Sequence, residues 1–229
     1  MQKLSQLKYH VVGGDFAVDR IFAKHAEKAK GVQHADIVVF TGGADVSPYL
    51  YNDKVHPKTH CTPRRDEIEF GFFRAAKDKL KVGICRGGQL LNVLNGGWMW
   101  QDVDNHALSG THMLSYKYFS TTANCEILRR VPVTSTHHQM MMVNKKARPQ
   151  IWGVADETTF KESGTRLDMG VGAQVRMTAP KGHNSDVEIV WYPYTKSLCF
   201  QPHPEYNHKD TRELFFECID RALEQVAAA

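Results

Sequence analysis

Lys81-Val82-Gly83-Ile84-Cys85-Arg86-Gly87-Gly88-Gln89-Leu90-Leu91 decides how this chain folds. A short apolar run ends in Gly-x-Cys-x-Gly and passes at once into a helical pattern. Strand, sharp turn and helix in that order make a nucleophile elbow. The glycines answer a mechanical need, because the turn is tight and a side chain at Gly83 or Gly87 would collide across it. The turn would carry the Cys85 sulfur out of the sheet to the start of the next helix. There the helix dipole and backbone N–H groups favour a thiolate over a thiol. Taken alone, Gly-x-Cys-x-Gly reads equally well as a buried structural cysteine beside a glycine turn, so the rest of the chain has to decide.

Upstream of the elbow, Tyr9 to Val12 is an apolar run stopped by Gly13-Gly14, and Phe16 to Lys30 reads as a helix with Val18, Ile21 and Phe22 on one face. Asp36 to Thr41 is continuously apolar, as a strand buried on both faces should be, and ends at Gly42-Gly43-Ala44-Asp45. Ser47-Pro48 reads as a cap and first residue of a short helical turn. Residues 52–65 are polar and aperiodic, long enough for a lid. Within them His56, His60 and Cys61 are candidate metal ligands, but no fourth ligand stands at a helpful spacing. Asp66 and Glu69 have the form of a capping box for a helix through Lys79. Downstream, Leu90, Leu91, Val93 and Leu94 predict a central helix ended by Gly96-Gly97. Residues 98–180 hold short strand-like pieces at 114–120, 125–128, 150–155 and 172–177. Val187–Tyr192 and Leu198–Gln201 predict a hairpin, and a helix closes the chain from about Lys209 to Gln225.

The sequence of 229 residues suffices for a single α/β domain spanning 1–229. Its net charge of +4 comes without a dense Lys/Arg block, which argues against a nucleic-acid partner. Five cysteines, an odd number, fit a reducing compartment better than a disulfide framework. With no apolar h-region at Met1–Ser5 and no apolar run of membrane-spanning length, a cytoplasmic protein is expected.

A catalytic cysteine needs a base, and the base needs an orienting group. Gln201-Pro202-His203-Pro204-Glu205 offers both. His203 precedes a proline and so leans to extended backbone, in which His203 and Glu205 would share a face. The segment follows a strand, where open α/β sheets carry their sites. By itself it would read as two solvated charges in a Pro-rich turn.

The elbow with Gln89, followed far downstream by His203-Pro204-Glu205, resembles the class I glutamine amidotransferase-like superfamily. It looks most like the γ-glutamyl hydrolase and γ-glutamyl-γ-aminobutyrate hydrolase-type branch. Thr41–Tyr51, Arg65-Asp66-Glu67-Ile68-Glu69, Leu90–Val93 with Gly96-Gly97, Gln101-Asp102, and Ser135-Thr136-His137-His138-Gln139 support it in the family's order. The chain departs from the branch at Gly88, Thr134 and Pro202. The resemblance implies a flavodoxin-like three-layer α/β sandwich with a mostly parallel central sheet. It also implies a Cys85–His203–Glu205 triad, an oxyanion hole from the backbone N–H groups of Gly43 and Arg86, and substrate contacts from Gln89, Ser135 and His137. For His137 and His138, a hydrogen-bonded structural pair weighs as much. Neither a metal nor an organic cofactor is expected. Three functions fit: a free-standing hydrolase of glutamine or γ-glutamyl amines through a thioester, a glutaminase subunit feeding ammonia to a separate synthetase, and an inactive binding module. Arg86, Trp98 and Trp100 are candidates for a surface that docks a synthetase.

Overall fold

The computed structural model describes residues 4–107, 110–120, 123–155, 158, 160–164, 175–178 and 186–228. Chain order is β1 (Lys8–Val11), α1 (Phe16–Phe22), β2 (Glu27–Lys28), β3 (Ile37–Phe40), α2 (Pro63–Ala75), β4 (Leu80–Ile84) and α3 (Arg86–Leu94). Then come β5 (Trp98–Trp100), β6 (Asp102–Val103), β7 (Gly110–Ser120), β8 (Cys125–Ser135), β9 (Met140–Met142) and β10 (Gln150–Ala155). The chain ends with β11 (Phe160–Ser163), β12 (Val175–Thr178), β13 (Asp186–Tyr192), β14 (Ser197–Phe200) and α4 (Lys209–Ala227). The sequence-predicted piece at 172–177 is described only from Val175, and its first three residues lie outside the described residues.

Nine strands form one sheet in the order β2-β1-β3-β4-β14-β13-β10-β7-β8. From β2 to β14 neighbours run parallel, and from β14 to β8 antiparallel. The sheet is thus mixed: a parallel half with helices on both faces, extended by an antiparallel half. Alternation assigns the faces. Ile37, Val39, Val82, Ile84, Leu198 and Phe200 pack with Val18, Ile21 and Phe22 of α1 and Leu214, Phe215 and Ile219 of α4. Val38, Phe40, Val190 and Cys199 pack on the other face with Leu90, Leu91 and Val93 of α3, and Phe72 and Phe73 of α2 adjoin them.

Three local expectations change. The first helix stops at Phe22 instead of reaching Lys30. The N–H groups of Glu27 and Ala29 bond Leu7 O at 3.1 Å and Tyr9 O at 2.7 Å, so β2 satisfies acceptors that the edge of β1 would otherwise leave open. Helix α2 begins at Pro63, with the proline in its first turn, and not at Asp66. Asp66 and Glu69 are buried and form no capping box. Finally, the 52–62 loop is strapped down rather than poised as a lid. Buried Gln101 accepts from His56 N at 3.0 Å and Thr59 Oγ1 at 2.8 Å, and donates to Asp53 Oδ2 at 3.1 Å and Lys54 O at 2.9 Å.

Candidate active site

Strands β3, β4 and β14 lie side by side and parallel, with Phe40 opposite Gly83 and Ile84 opposite Phe200. Their next residues therefore leave the sheet together at its carboxyl edge: Thr41-Gly42-Gly43, Cys85, and Gln201-Pro202-His203. Cys85 has φ 48° and ψ −113°, in a region that side-chain-bearing residues rarely occupy. Its N–H is anchored to Phe200 O at 2.8 Å, and its carbonyl accepts from Gln89 N at 3.0 Å in the first turn of α3. A Cβ at Gly83 would overlap the backbone of Gly87 and Gly88, and one at Gly87 would overlap the Phe40 carbonyl. The elbow exists because these two positions lack side chains.

His203 Nδ1 lies 2.6 Å from Glu205 Oε1. The intervening backbone turns, with Tyr206 N donating to His203 O at 3.3 Å, so this contact comes from a turn and not from the extended alternation expected. Two partners fix the ring's position. Tyr206 stacks on it at 4.4 Å, and Thr134 Oγ1 accepts from His203 N at 2.8 Å. A Cβ built on Gly42 would stand 3.2 Å from His203 Cε1 and 3.8 Å from Cys85 Cβ, so that glycine is bracketed by both side chains. Burial pulls His203 toward the neutral form, but hydrogen bonds to Cys85 and Glu205 outweigh it and push its pKa up to about 11. Gln201 Nε2 approaches Cys85 Sγ at 3.5 Å.

Gly43 has φ 135°, a conformation that favours glycine. Arg65 Nη2 donates to Thr41 O at 3.1 Å and Gly42 O at 2.9 Å. In a trans peptide N–H and C=O point opposite ways. Clamping the Gly42 carbonyl therefore turns the Gly43 N–H away from Arg65. Arg65 Nε in turn donates to Glu69 Oε1 at 2.8 Å. The Arg86 side chain is buried between Asp66 and Glu69, paired with both carboxylates, and Asp66 Oδ2 also accepts from Ser47 N at 3.1 Å. Burial and the Arg65 charge pull the Arg86 guanidinium down to about 10 against the attraction of Asp66. Arg86 thus presents no side chain to a docking partner, while Trp98 and Trp100 are half-buried in β5.

Gln89 Nε2 donates to Gln201 Oε1 at 3.1 Å and Gln139 O at 3.2 Å, which places Gln89 one residue from the sulfur. Ser135 Oγ donates to His106 O at 2.7 Å. His137 uses both ring nitrogens, on Gln139 O at 2.9 Å and Glu188 Oε1 at 3.1 Å. His138 Nε2 stands 3.2 Å from Asp45 Oδ1. Both histidines are therefore bound up with the protein, His137 buried and His138 partly exposed, though with different partners. The sequence ligand candidates separate: His56 contacts Glu162 at 3.2 Å, His60 is exposed and Cys61 half-buried. Sequence reasoning gave no site role to Arg65, Asp66, Glu69, Thr134 or Gln201. The Arg-Asp-x-x-Glu spacing ahead of the elbow was the available signal.

The family model for Peptidase C26 matches residues 17–159, more than half of the chain. The YvdE homolog of Lactococcus lactis subsp. cremoris, named as glutamine amidotransferase-like, is 37% identical over 119 residues, 46% of this chain and 63% of that protein. YvdE of Lactococcus lactis subsp. lactis is 45% identical over 83 residues, 35% of each chain. The chain thus spans less than two thirds of the length of these curated relatives. Among solved structures, a GMP synthase subunit from Thermoplasma acidophilum matches with TM-score 0.54 at 14% identity, covering 97% of this chain and 94% of that one. A glutamine amidotransferase from Thermotoga maritima matches with TM-score 0.52 at 15% identity, over 96% and 84%. At such identities they speak for the fold alone, which is that of the class I glutamine amidotransferases. With a family match this long and a shared fold, the chain belongs to the Peptidase C26 family of the class I glutamine amidotransferase-like superfamily.

Proposed function

We propose that this chain is a cysteine hydrolase that cleaves the γ-glutamyl amide bond of glutamine or a γ-glutamyl amine through a thioester. The observation that carries the reading is Cys85 on a positive-φ elbow, beside an imidazole that Glu205 holds at 2.6 Å. Cys85 Sγ attacks the amide carbon, and the carbonyl electrons move onto oxygen. The backbone N–H groups of Gly43 and of Arg86, at the start of α3, receive that charge. Imidazolium His203 gives its proton to the departing nitrogen as the C–N bond breaks. It then takes a proton from water, which attacks the thioester carbon and returns the sulfur. Gln89 and Gln201 line the sulfur and orient the γ-glutamyl group. Ser135 and His137, whose polar atoms engage the protein, act on substrate through the position of Gln139.

Hydrolysis of γ-glutamyl amines ranks above ammonia supply because segments 52–65 and 134–139 resemble the hydrolase branch. Two solved proteins of similar fold, PurLQS of Thermotoga maritima and the GMP synthase subunit, favour the second reading: a glutaminase chain that serves a separate synthetase. The purified chain assayed alone against glutamine and a panel of γ-glutamyl amines separates the two. Release of an amine larger than ammonia supports the hydrolase. A chain inert to the panel that yields ammonia from glutamine only when a synthetase is added overturns it.

A further inference from the structure

The proposed reaction leaves a second polar cluster without a role. Behind the Gln89–Gln139 contact, Glu188 of β13 is buried with three imidazoles around its carboxylate. His137 Nε2 lies 3.1 Å and His106 Nδ1 3.3 Å from Oε1, and His112 Nε2 lies 3.0 Å from Oε2. All three histidines are buried as well. The ligand atoms of His106, His112 and Glu188 fall within 4.8 Å of one another.

The hydrogens available to these rings do not match the contacts they make. His106 Nε2 faces Asp186 Oδ2 at 3.1 Å and Thr158 Oγ1 at 2.9 Å. An ionised carboxylate only accepts, so this nitrogen carries the hydrogen. His137 Nδ1 faces the Gln139 carbonyl at 2.9 Å and must likewise donate. As neutral rings, His106 then keeps a lone pair on Nδ1 and His137 one on Nε2, both beside Oε1, an atom that itself holds only lone pairs. Despite its 3.3 Å approach, His106 Nδ1 makes no hydrogen bond at all. A cation held by His106 Nδ1, His112 Nε2 and Glu188 gives the first nitrogen a partner.

We propose that His106, His112 and Glu188 form a buried binding site for one divalent transition-metal ion, with zinc the best match. Two imidazole nitrogens and a carboxylate are a borderline-soft donor set suited to a four-coordinate ion that keeps one position for solvent. His106 Nδ1 lies 3.3 Å from Oε1 and His112 Nε2 3.0 Å from Oε2, near the ligand-to-ligand edge of about 3.4 Å that metal bonds of about 2.1 Å give. An outer partner is in place too: Asp186 on His106 Nε2 fixes the tautomer that leaves Nδ1 for a metal. Lys161, paired with Asp186, balances the outer carboxylate. The three ligands are all buried behind the reaction site, which makes the metal structural. Through Glu188 and His137 it bears on Gln139, whose carbonyl also receives Gln89, and so steadies the wall of the reaction site without joining the chemistry. Sequence spacing hides the set, since its members span residues 106 to 188 on separate elements.

The test is metal analysis of the full chain purified without a polyhistidine tag, followed by Co2+ titration of the chelator-treated protein. Expected are close to one zinc per chain as isolated, a saturable 1:1 Co2+ spectrum with the intense visible bands of four-coordinate cobalt, and a rise in Tm on loading. His112→Gln and Glu188→Gln should lose both metal and spectrum. Asp186→Asn should weaken Co2+ about 10–100-fold, as loss of an outer partner does. Should the ligand variants fail to fold, the wild-type titration decides alone. A metal-free protein that gives no saturable cobalt spectrum, or wild-type metal content in folded His112→Gln, overturns the proposal.

Discussion

Gly43→Ala tests the oxyanion-hole assignment most directly. A methyl group there would overlap Arg65 Nη1. That atom is the tip of a flexible side chain, so the overlap is relieved if the guanidinium swings away. Doing so gives up its bonds to Thr41 O and Gly42 O at 3.1 and 2.9 Å, which hold the Gly42–Gly43 peptide in orientation. The backbone at φ 135° is strained for alanine whatever the space. Such strain costs about 1–3 kcal/mol, and for a chain of this size each kcal/mol moves Tm by roughly 2–4 °C. The variant should therefore stay folded with Tm lower by roughly 2–12 °C. Rate should suffer more, because a misdirected oxyanion donor costs about 10²–10³-fold in kcat. The assay is steady-state hydrolysis of a γ-glutamyl amide at saturating substrate, with a thermal melt on the same sample. Wild-type kcat in a protein with the lowered Tm would refute the assignment of Gly43.

A γ-glutamyl-mimicking electrophile should label Cys85 first, with Cys199 and Cys218 untouched because burial pushes both thiols far up; peptide mapping that finds another cysteine modified ahead of Cys85 refutes the nucleophile. Glu205→Gln should cut kcat by up to about 10⁴-fold, as loss of an orienting carboxylate does, whereas Cys85→Ala removes turnover. With His203 raised to about 11 despite burial, wild-type rates should show no alkaline fall below about pH 9, and the fall should move to lower pH in Glu205→Gln. The same shift acts on stability: the share from His203 is complete below about pH 6.5 and is lost as pH rises through about 11, so Glu205→Gln should narrow the gap between melts at pH 6 and pH 10. Asp66→Asn should lower stability by about 3–5 kcal/mol in denaturant titration, because it strands half of a buried ion pair.

What the sequence disclosed follows contact range. The elbow is legible because its demands are local: Gly83 and Gly87 flank Cys85 within five residues, and the turn tolerates nothing larger. Strands β3 and β4 are legible because strands covered on both faces read as unbroken apolar runs. Asp66 and Glu69 mislead because carboxylates three apart before a helix serve a cap as readily as an ion pair. Only the arrival of Arg86 from the next unit decides, and no local pattern announces it. Strand β2 is invisible for a related reason. Glu27 and Lys28 are polar and exposed, and pair with β1 only through their backbones. Likewise the turn at His203–Tyr206 is set by Thr134 and a stacked ring, not by the proline before or after it.

The buried ions also decide what can support a thiolate at Cys85. Arg86 follows the cysteine directly and looks like its counter-ion in a linear reading. Folded, its side chain is spent on Asp66 and Glu69, and with Arg65 the four charges sum to zero. Little net field from this group reaches the sulfur. Three sources remain: the N-terminus of α3, worth about 0.3–1 kcal/mol when exposed and more when partly buried; the Gln201 amide at 3.5 Å; and the His203 imidazolium. The last is by far the strongest, a full charge in a largely buried site. The carboxyl-edge loops thus divide the work. Arg86 and Arg65 lock α2, the elbow helix and the Gly42–Gly43 peptide together, and His203 alone brings the charge. Substitution at Asp66 should accordingly weaken the frame and leave the pH dependence of the rate nearly unchanged, while substitution at Glu205 moves that dependence through His203.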